Sequence, residues 1–68
     1  MYNNLKEIRQ QNGYSQEVLA ELVQVSRQTI ISIEKCHYFP TTILALKIAE
    51  KLNQKIEKIF ILEEKDWE

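Results

Sequence analysis

This 68-residue sequence contains one cysteine, one glycine, one proline, one histidine and one tryptophan. Each scarcity excludes something. A lone cysteine can form no disulfide within the chain and no cysteine-based zinc site. With His37 the only histidine, a multi-histidine metal site is excluded too. Cys36 and His37 are consecutive, and neighbouring residues do not normally converge as nucleophile and base. The expected use of Cys36 is a plain exposed thiol, or a redox-sensitive one. Nothing reads as a nucleophile, a metal site or a phosphate-cradling loop, so neither a catalytic residue nor a cofactor is expected. No apolar run is long enough to span a membrane, and the N-terminus lacks a basic-then-apolar leader. A lone thiol fits a reducing compartment, and the expected location is the cytoplasm.

Net charge is scarce as well: −1 overall, with a pI near 5.8. A general nucleic-acid binder usually carries a basic footprint. The distribution softens that objection. Residues 63–68 hold four acids and one lysine, a net of −3, which leaves eight basic and six acidic residues, or +2, over positions 1–62. Weak non-specific affinity follows, because phosphate neutralisation supplies most of that term. A chain this short makes one small domain, 1–68, near the lower limit of what folds without disulfides or metal.

What is present is centred on Tyr14–Cys36, YSQEVLAELVQVSRQTIISIEKC. Ser15 is a good N-cap, and Val18, Leu19, Leu22 and Val23 recur at helical spacing. Gln24-Val25 makes a turn. Ser26 then caps a second helix with Ile30 and Ile33 on its apolar side and Arg27, Gln28, Thr29 and Ser32 free for hydrogen bonding. Two steeply crossed helices, the second opening with long polar side chains, fit a DNA major groove.

These residues resemble the helix-turn-helix of the Xre-type regulators, the family of the phage repressors and Cro. The matching run is Ser15-Gln16-Glu17, Leu19-Ala20-Glu21-Leu22, Val25 through Ile30 and Ile33-Glu34, and SRQTI followed by IE is its most specific part. The likeness continues through Tyr38, Pro40 and LALKIAEKL to Ile59-Phe60. It implies an all-α, five-helix phage-repressor-like domain with the helix-turn-helix at about 15–35. Cys36 and Gln24 stand where the family usually has glycine or asparagine (Cys36) and often has glycine (Gln24).

The rest of the chain reads as follows. Asn4 can cap a first helix, with Glu7 reaching back to it, Leu5 and Ile8 inward, and Asn12-Gly13 as a left-handed stop. A third helix ends near Lys35; Cys36 in the left-handed conformation would carry strain of roughly 1 kcal/mol. His37–Pro40 is a loop, Thr41 caps a fourth helix, and Leu44, Ala45, Ile48, Ala49 and Leu52 form its buried face. Ile43 and Leu46 lie off that face, free to extend the core or meet a partner. A fifth helix is expected from Ile56 to Phe60. The β-prone segment after it could pair with Met1–Asn3 as a two-stranded ribbon, an arrangement that needs packing to survive.

Arg27 can grip guanine and Gln28 adenine in two-pronged fashion, so both are expected base readers, with Ser32 a third. Ile31 could touch a thymine methyl or fill a core gap. Gln16, Ser26, Thr29, Lys35, His37 and Tyr38 are candidate phosphate contacts, Gln16 with a bracing role that the resemblance implies. It also implies that Arg9 pairs with Glu34 for structural reasons. A solvated helix face and ordinary exposed loop residues are the plain alternatives. The expected partner is a double-stranded DNA operator. The resemblance implies a homodimer joined through the C-terminal region, expected here at Ile59, Phe60, Ile61, Leu62 and Trp67, with Trp67 anchored on the domain or on a second subunit. The other reading is a protein-binding module, such as an antitoxin-like partner, for which Ile43 and Leu46 would serve as apolar anchors.

Overall fold

The computed structural model describes residues 1–68. Strand β1 (Tyr2–Asn3) leads into α1 (Leu5–Gln11), α2 (Gln16–Leu22), α3 (Arg27–Glu34), α4 (Thr42–Leu52) and α5 (Ile56–Ile59). Strand β2 (Phe60–Ile61) and a 3-10 turn, Glu64–Trp67, complete the chain. None of the helices is long and apolar enough to cross a membrane.

Local chemistry sets most of the boundaries. The hydroxyls of Ser15, Ser26 and Thr41 accept from the backbone N–H groups of Val18, Thr29 and Leu44 and so start α2, α3 and α4. Gly13 ends the first turn region at φ +76°, where a side chain would be strained. Asn53 closes α4 in the same left-handed region at φ 53°. The first helix departs from expectation. Asn4 occupies its N-cap but makes no side-chain cap bond. Its amide donates instead to Lys58 O at 3.3 Å, and the Leu5 N–H is taken up by Asn3 Oδ1 at 3.2 Å. The expected box between Asn4 and Glu7 does not form.

One apolar cluster holds the helices together: Leu5, Ile8, Leu19, Ala20, Val23, Ile30, Ile33, Leu44, Ile48, Ala49, Leu52 and Ile59. Fully burying a leucine or isoleucine is worth about 1.5–3 kcal/mol, so every helix is secured by at least one anchor. On α2 the buried residues are Leu19 and Ala20, while Val18 and Leu22 are exposed. The crossing with α3 and α4 admits only a narrow stripe. Ile59 is fully buried. That corrects its assignment to a dimer surface, since a side chain at the centre of the core offers nothing to a partner. The fifth helix stops at Ile59 because Phe60 turns to an extended conformation, φ −110°, ψ 117°.

The terminal ribbon forms. β1 and β2 pair antiparallel, Tyr2 against Ile61 and Asn3 against Phe60. Two residues per strand would not hold alone, and the ribbon is fastened by Phe60 packed on the core and by the Asn4 N–H donating to Ile59 O at 2.8 Å. Beyond it the acidic residues 63–68 fold back. The Met1 α-amino group sits 3.0 Å from Glu63 Oε1 and 2.7 Å from Asp66 Oδ2. Hydrogen bonding to these carboxylates raises the amine pKa and lowers both acids below their ordinary values. Trp67 remains 78% exposed, so it is not anchored on its own domain.

Besides Asn53, two side-chain-bearing residues adopt left-handed backbone where glycine would be relaxed: Gln24 at φ 64° and Cys36 at φ 60°. Cys36→Gly is expected to raise stability by up to about 0.5 kcal/mol, the relief of strain offset in large part by glycine's larger unfolded-state entropy. Thermal unfolding checks it, with a rise of up to a few degrees in Tm expected. A fall would show that the cysteine side chain contributes more than the strain removes.

Candidate nucleic-acid interface

The α2–turn–α3 unit presents one polar surface. Val25 N–H donates to Ala20 O at 3.0 Å, which closes the turn and frees Ser26 to start α3. Along α3, Ile30 and Ile33 point into the core and set the rotation of the helix. Arg27 and Gln28 are thereby left exposed, with Thr29, Ile31 and Ser32 partly so. Gln28 Nε2 approaches Ser32 Oγ at 3.5 Å one turn on, which places two expected base readers side by side. Ser26, Gln28, Thr29 and Ser32 line a shallow depression that Tyr38 walls from the loop after α3.

The hydroxyls of Ser26 and Thr29 lie 3.0 Å apart. One donates to the other, and the second keeps a proton for an outside acceptor. Lys35 and His37 are exposed beside the depression without lining it. Ile31 is half-buried, so part of the side chain packs and part reaches solvent.

The orientation of α3 is fixed from below by its last residue. Arg9 Nε donates to Glu34 Oε2 at 2.6 Å and Nη2 to Oε1 at 3.3 Å, with only 8% and 6% of the two side chains exposed. Arg9 Nη1 also donates to Tyr14 O at 2.9 Å, and Gln16 Nε2 to Glu34 Oε1 at 3.1 Å. Helices α1, α2 and α3 therefore converge on one carboxylate. The expected structural pair of Arg9 and Glu34 is present. Gln16 braces α3 with its side chain, which leaves its backbone, at the start of α2, as the group available to an anion.

Sequence reasoning missed two long-range features, the first of them at the end of α3. One is Asn3, whose amide donates to Ile33 O at 2.9 Å; a lone asparagine in a two-residue strand gave no signal. The other is the Met1 amine bound by the tail carboxylates, a contact spanning the whole chain. No cluster of histidine, cysteine or acidic side chains is arranged to hold a metal ion.

The chain matches the family described as Helix-turn-helix over residues 5–59. It is 50% identical over 66 residues to YgzD of Bacillus subtilis (strain 168), an uncharacterised HTH-type transcriptional regulator, covering 97% of this chain and 100% of that one. It is 52% identical over 64 residues to MJ0272 of Methanocaldococcus jannaschii, also an uncharacterised HTH-type transcriptional regulator, covering 94% and 97%. The restriction-modification controller protein C.AhdI from Aeromonas hydrophila superposes with a TM-score of 0.76 at 30% identity, over 82% of this chain and 85% of that one. The clp gene regulator ClgR from Corynebacterium glutamicum shares the fold, with a TM-score of 0.73 at 21% identity over 76% and 55%. With the match running from α1 through α5 and relatives aligned almost end to end, the chain belongs to the Xre-type helix-turn-helix transcriptional regulators.

Proposed function

We propose that this chain is a sequence-specific DNA-binding regulator that works as a homodimer on a near-palindromic operator. The observation that carries the reading is the opening of α3, where exposed Arg27 and Gln28 stand beside Ser32 on a helix whose angle is locked through Glu34. Arg27 reads guanine, Gln28 adenine, and Ser32 and Ile31 complete the contact with base edges. The Gln16 backbone, Ser26, Thr29, Lys35, His37 and Tyr38 hold phosphates and set the register. A twofold dimer places two α3 helices about one DNA turn, roughly 34 Å, apart. Repression by covering a promoter is the simplest outcome, and C.AhdI, a controller protein by its name, is a regulator of similar form.

The surface proposed for dimerisation is Phe60, Ile61, Leu62 and Trp67. Leu62 and Trp67 are 59% and 78% exposed, and Phe60 and Ile61 are half-buried at the ribbon. Leu62→Glu combined with Trp67→Ala is expected to leave the fold intact and shift sedimentation at micromolar concentration from dimer to monomer. A double variant that still sediments as the dimer removes the case for this surface.

A protein-binding reading has one observation in its favour: Ile43 and Leu46 stand 70% and 54% exposed on one side of α4. An NMR titration with mixed-sequence duplex DNA separates the two. The DNA reading expects amide shifts at Gln16, at Ser26–Ser32 and at Lys35–Tyr38. Shifts confined to α4 and the tail, or none, would favour a protein partner.

A further inference from the structure

We propose that Asn3 is a positioning residue of the DNA-reading surface, fixing the last turn of α3 and the loop that presents His37 and Tyr38. The inference rests on the reading of α3 as the recognition helix.

The end of α3 is closed by two backbone bonds: Cys36 N–H to Ile33 O at 2.9 Å, and His37 N–H to Ser32 O at 2.9 Å. This is the paired termination that requires a left-handed residue, normally glycine, at its centre. Here Cys36 takes that place at φ 60°, so the turn carries strain and needs support from outside. Asn3 supplies it. Its Nδ2 donates to the second lone pair of Ile33 O at 2.9 Å and lies 3.6 Å from Cys36 Sγ. The amide cannot turn over, because Oδ1 is held by the Leu5 N–H at 3.2 Å, and a reversed group would set two carbonyl oxygens against each other.

The position of Asn3 is in turn fixed by pairing with Phe60 in the ribbon. The termini and the recognition helix are thus one hydrogen-bonded unit, joined at a residue that adjoins Ser32. Base-edge contacts tolerate displacements of only about 0.5 Å. If the end of α3 loosens, Ser32 and Tyr38 lose their relation to Gln28, whereas the charges that attract phosphate stay where they are. The signature of Asn3 is therefore in specificity, with little change in general affinity.

The test uses the full chain and two variants. Asn3→Ala removes both bonds at a partly buried site that water can reach. Asn3→Asp keeps the acceptor for Leu5 and turns a carboxylate oxygen toward Ile33 O. Each protein is used to enrich bound duplexes from a random pool. The ratio of its affinity for the parent's best site to that for a scrambled duplex is then measured, below the melting temperature of each variant. The expected result for both variants is a fall of about tenfold in that ratio and a loss of preference at the base pairs nearest Ser32. Affinity for the scrambled duplex stays within twofold of the parent for the neutral Asn3→Ala and falls further for Asn3→Asp, which adds a negative charge. If Asn3→Ala keeps the parent's ratio within twofold, or loses both affinities in parallel, the proposal is overturned while the recognition reading stands. A parent that enriches no sequence overturns the recognition reading and the proposal together.

Discussion

Glu34→Ala is expected to destabilise the domain by about 3–5 kcal/mol, because it strands a buried guanidinium. In the native chain the carboxylate receives two bonds from Arg9 and one from Gln16. Without it Arg9 keeps only Tyr14 O as a partner. A small domain has a total stability of about 5 kcal/mol or somewhat more, so most of the margin disappears and a large fraction of the chain unfolds at 37 °C. Arg9→Ala is expected to cost a similar amount, since it leaves the carboxylate buried and unpaired. Replacing both, Arg9→Met with Glu34→Leu, removes the two desolvation costs together and is expected to lie within about 1–2 kcal/mol of the parent. Urea unfolding of the four proteins reads this from their midpoints. Single variants as stable as the parent would mean that the pair contributes little and that α3 is oriented by packing alone.

Arg27→Ala and Gln28→Ala should each weaken operator binding by about 1–3 kcal/mol, roughly 5- to 150-fold, and relax preference at one base pair. Both side chains are exposed and outside the core, so neither substitution should shift the unfolding midpoint appreciably. The two differ in their dependence on salt. Arg27 carries a charge, and removing it should lower the salt slope as well as the affinity; Gln28 is neutral, and its loss should leave the slope unchanged. Measurement of affinity against salt concentration on the selected site and on single-base mismatches separates them. Variants that bind matched and mismatched sites like the parent would contradict the assignment of α3.

The elements that could be read from the sequence were those with local causes. Ser15, Ser26 and Thr41 are strong caps, the apolar spacing of α3 and α4 is regular, and Gly13 can be little other than a terminator. The ribbon was foreseen from the β-prone Phe60–Leu62 and the extended N-terminus. The polar opening of α3 pointed to DNA, and the buried partnership of Arg9 with Glu34 was expected from resemblance.

What escaped reading depends on contacts distant in sequence. Asn4 looked like a cap, but Lys58 O competes for its amide and Asn3 takes the adjoining N–H. Ile59 looked free to meet a partner, yet the short α5 lays it across the core. The acidic tail looked as if Trp67 would anchor it, but Trp67 stays exposed and the Met1 amine draws the tail into a turn. Cys36 gave a fair hint, since a residue other than glycine at a helix end implies strain, but the asparagine that supports the turn lies 33 residues away.

The most direct test is selection of bound sites from random duplex DNA, repeated at two salt concentrations. The account predicts a palindrome with half-site centres about 10 base pairs apart, enriched at both concentrations, because base contacts survive where phosphate attraction is screened. Binding without a preferred sequence, abolished by the added salt, would contradict it.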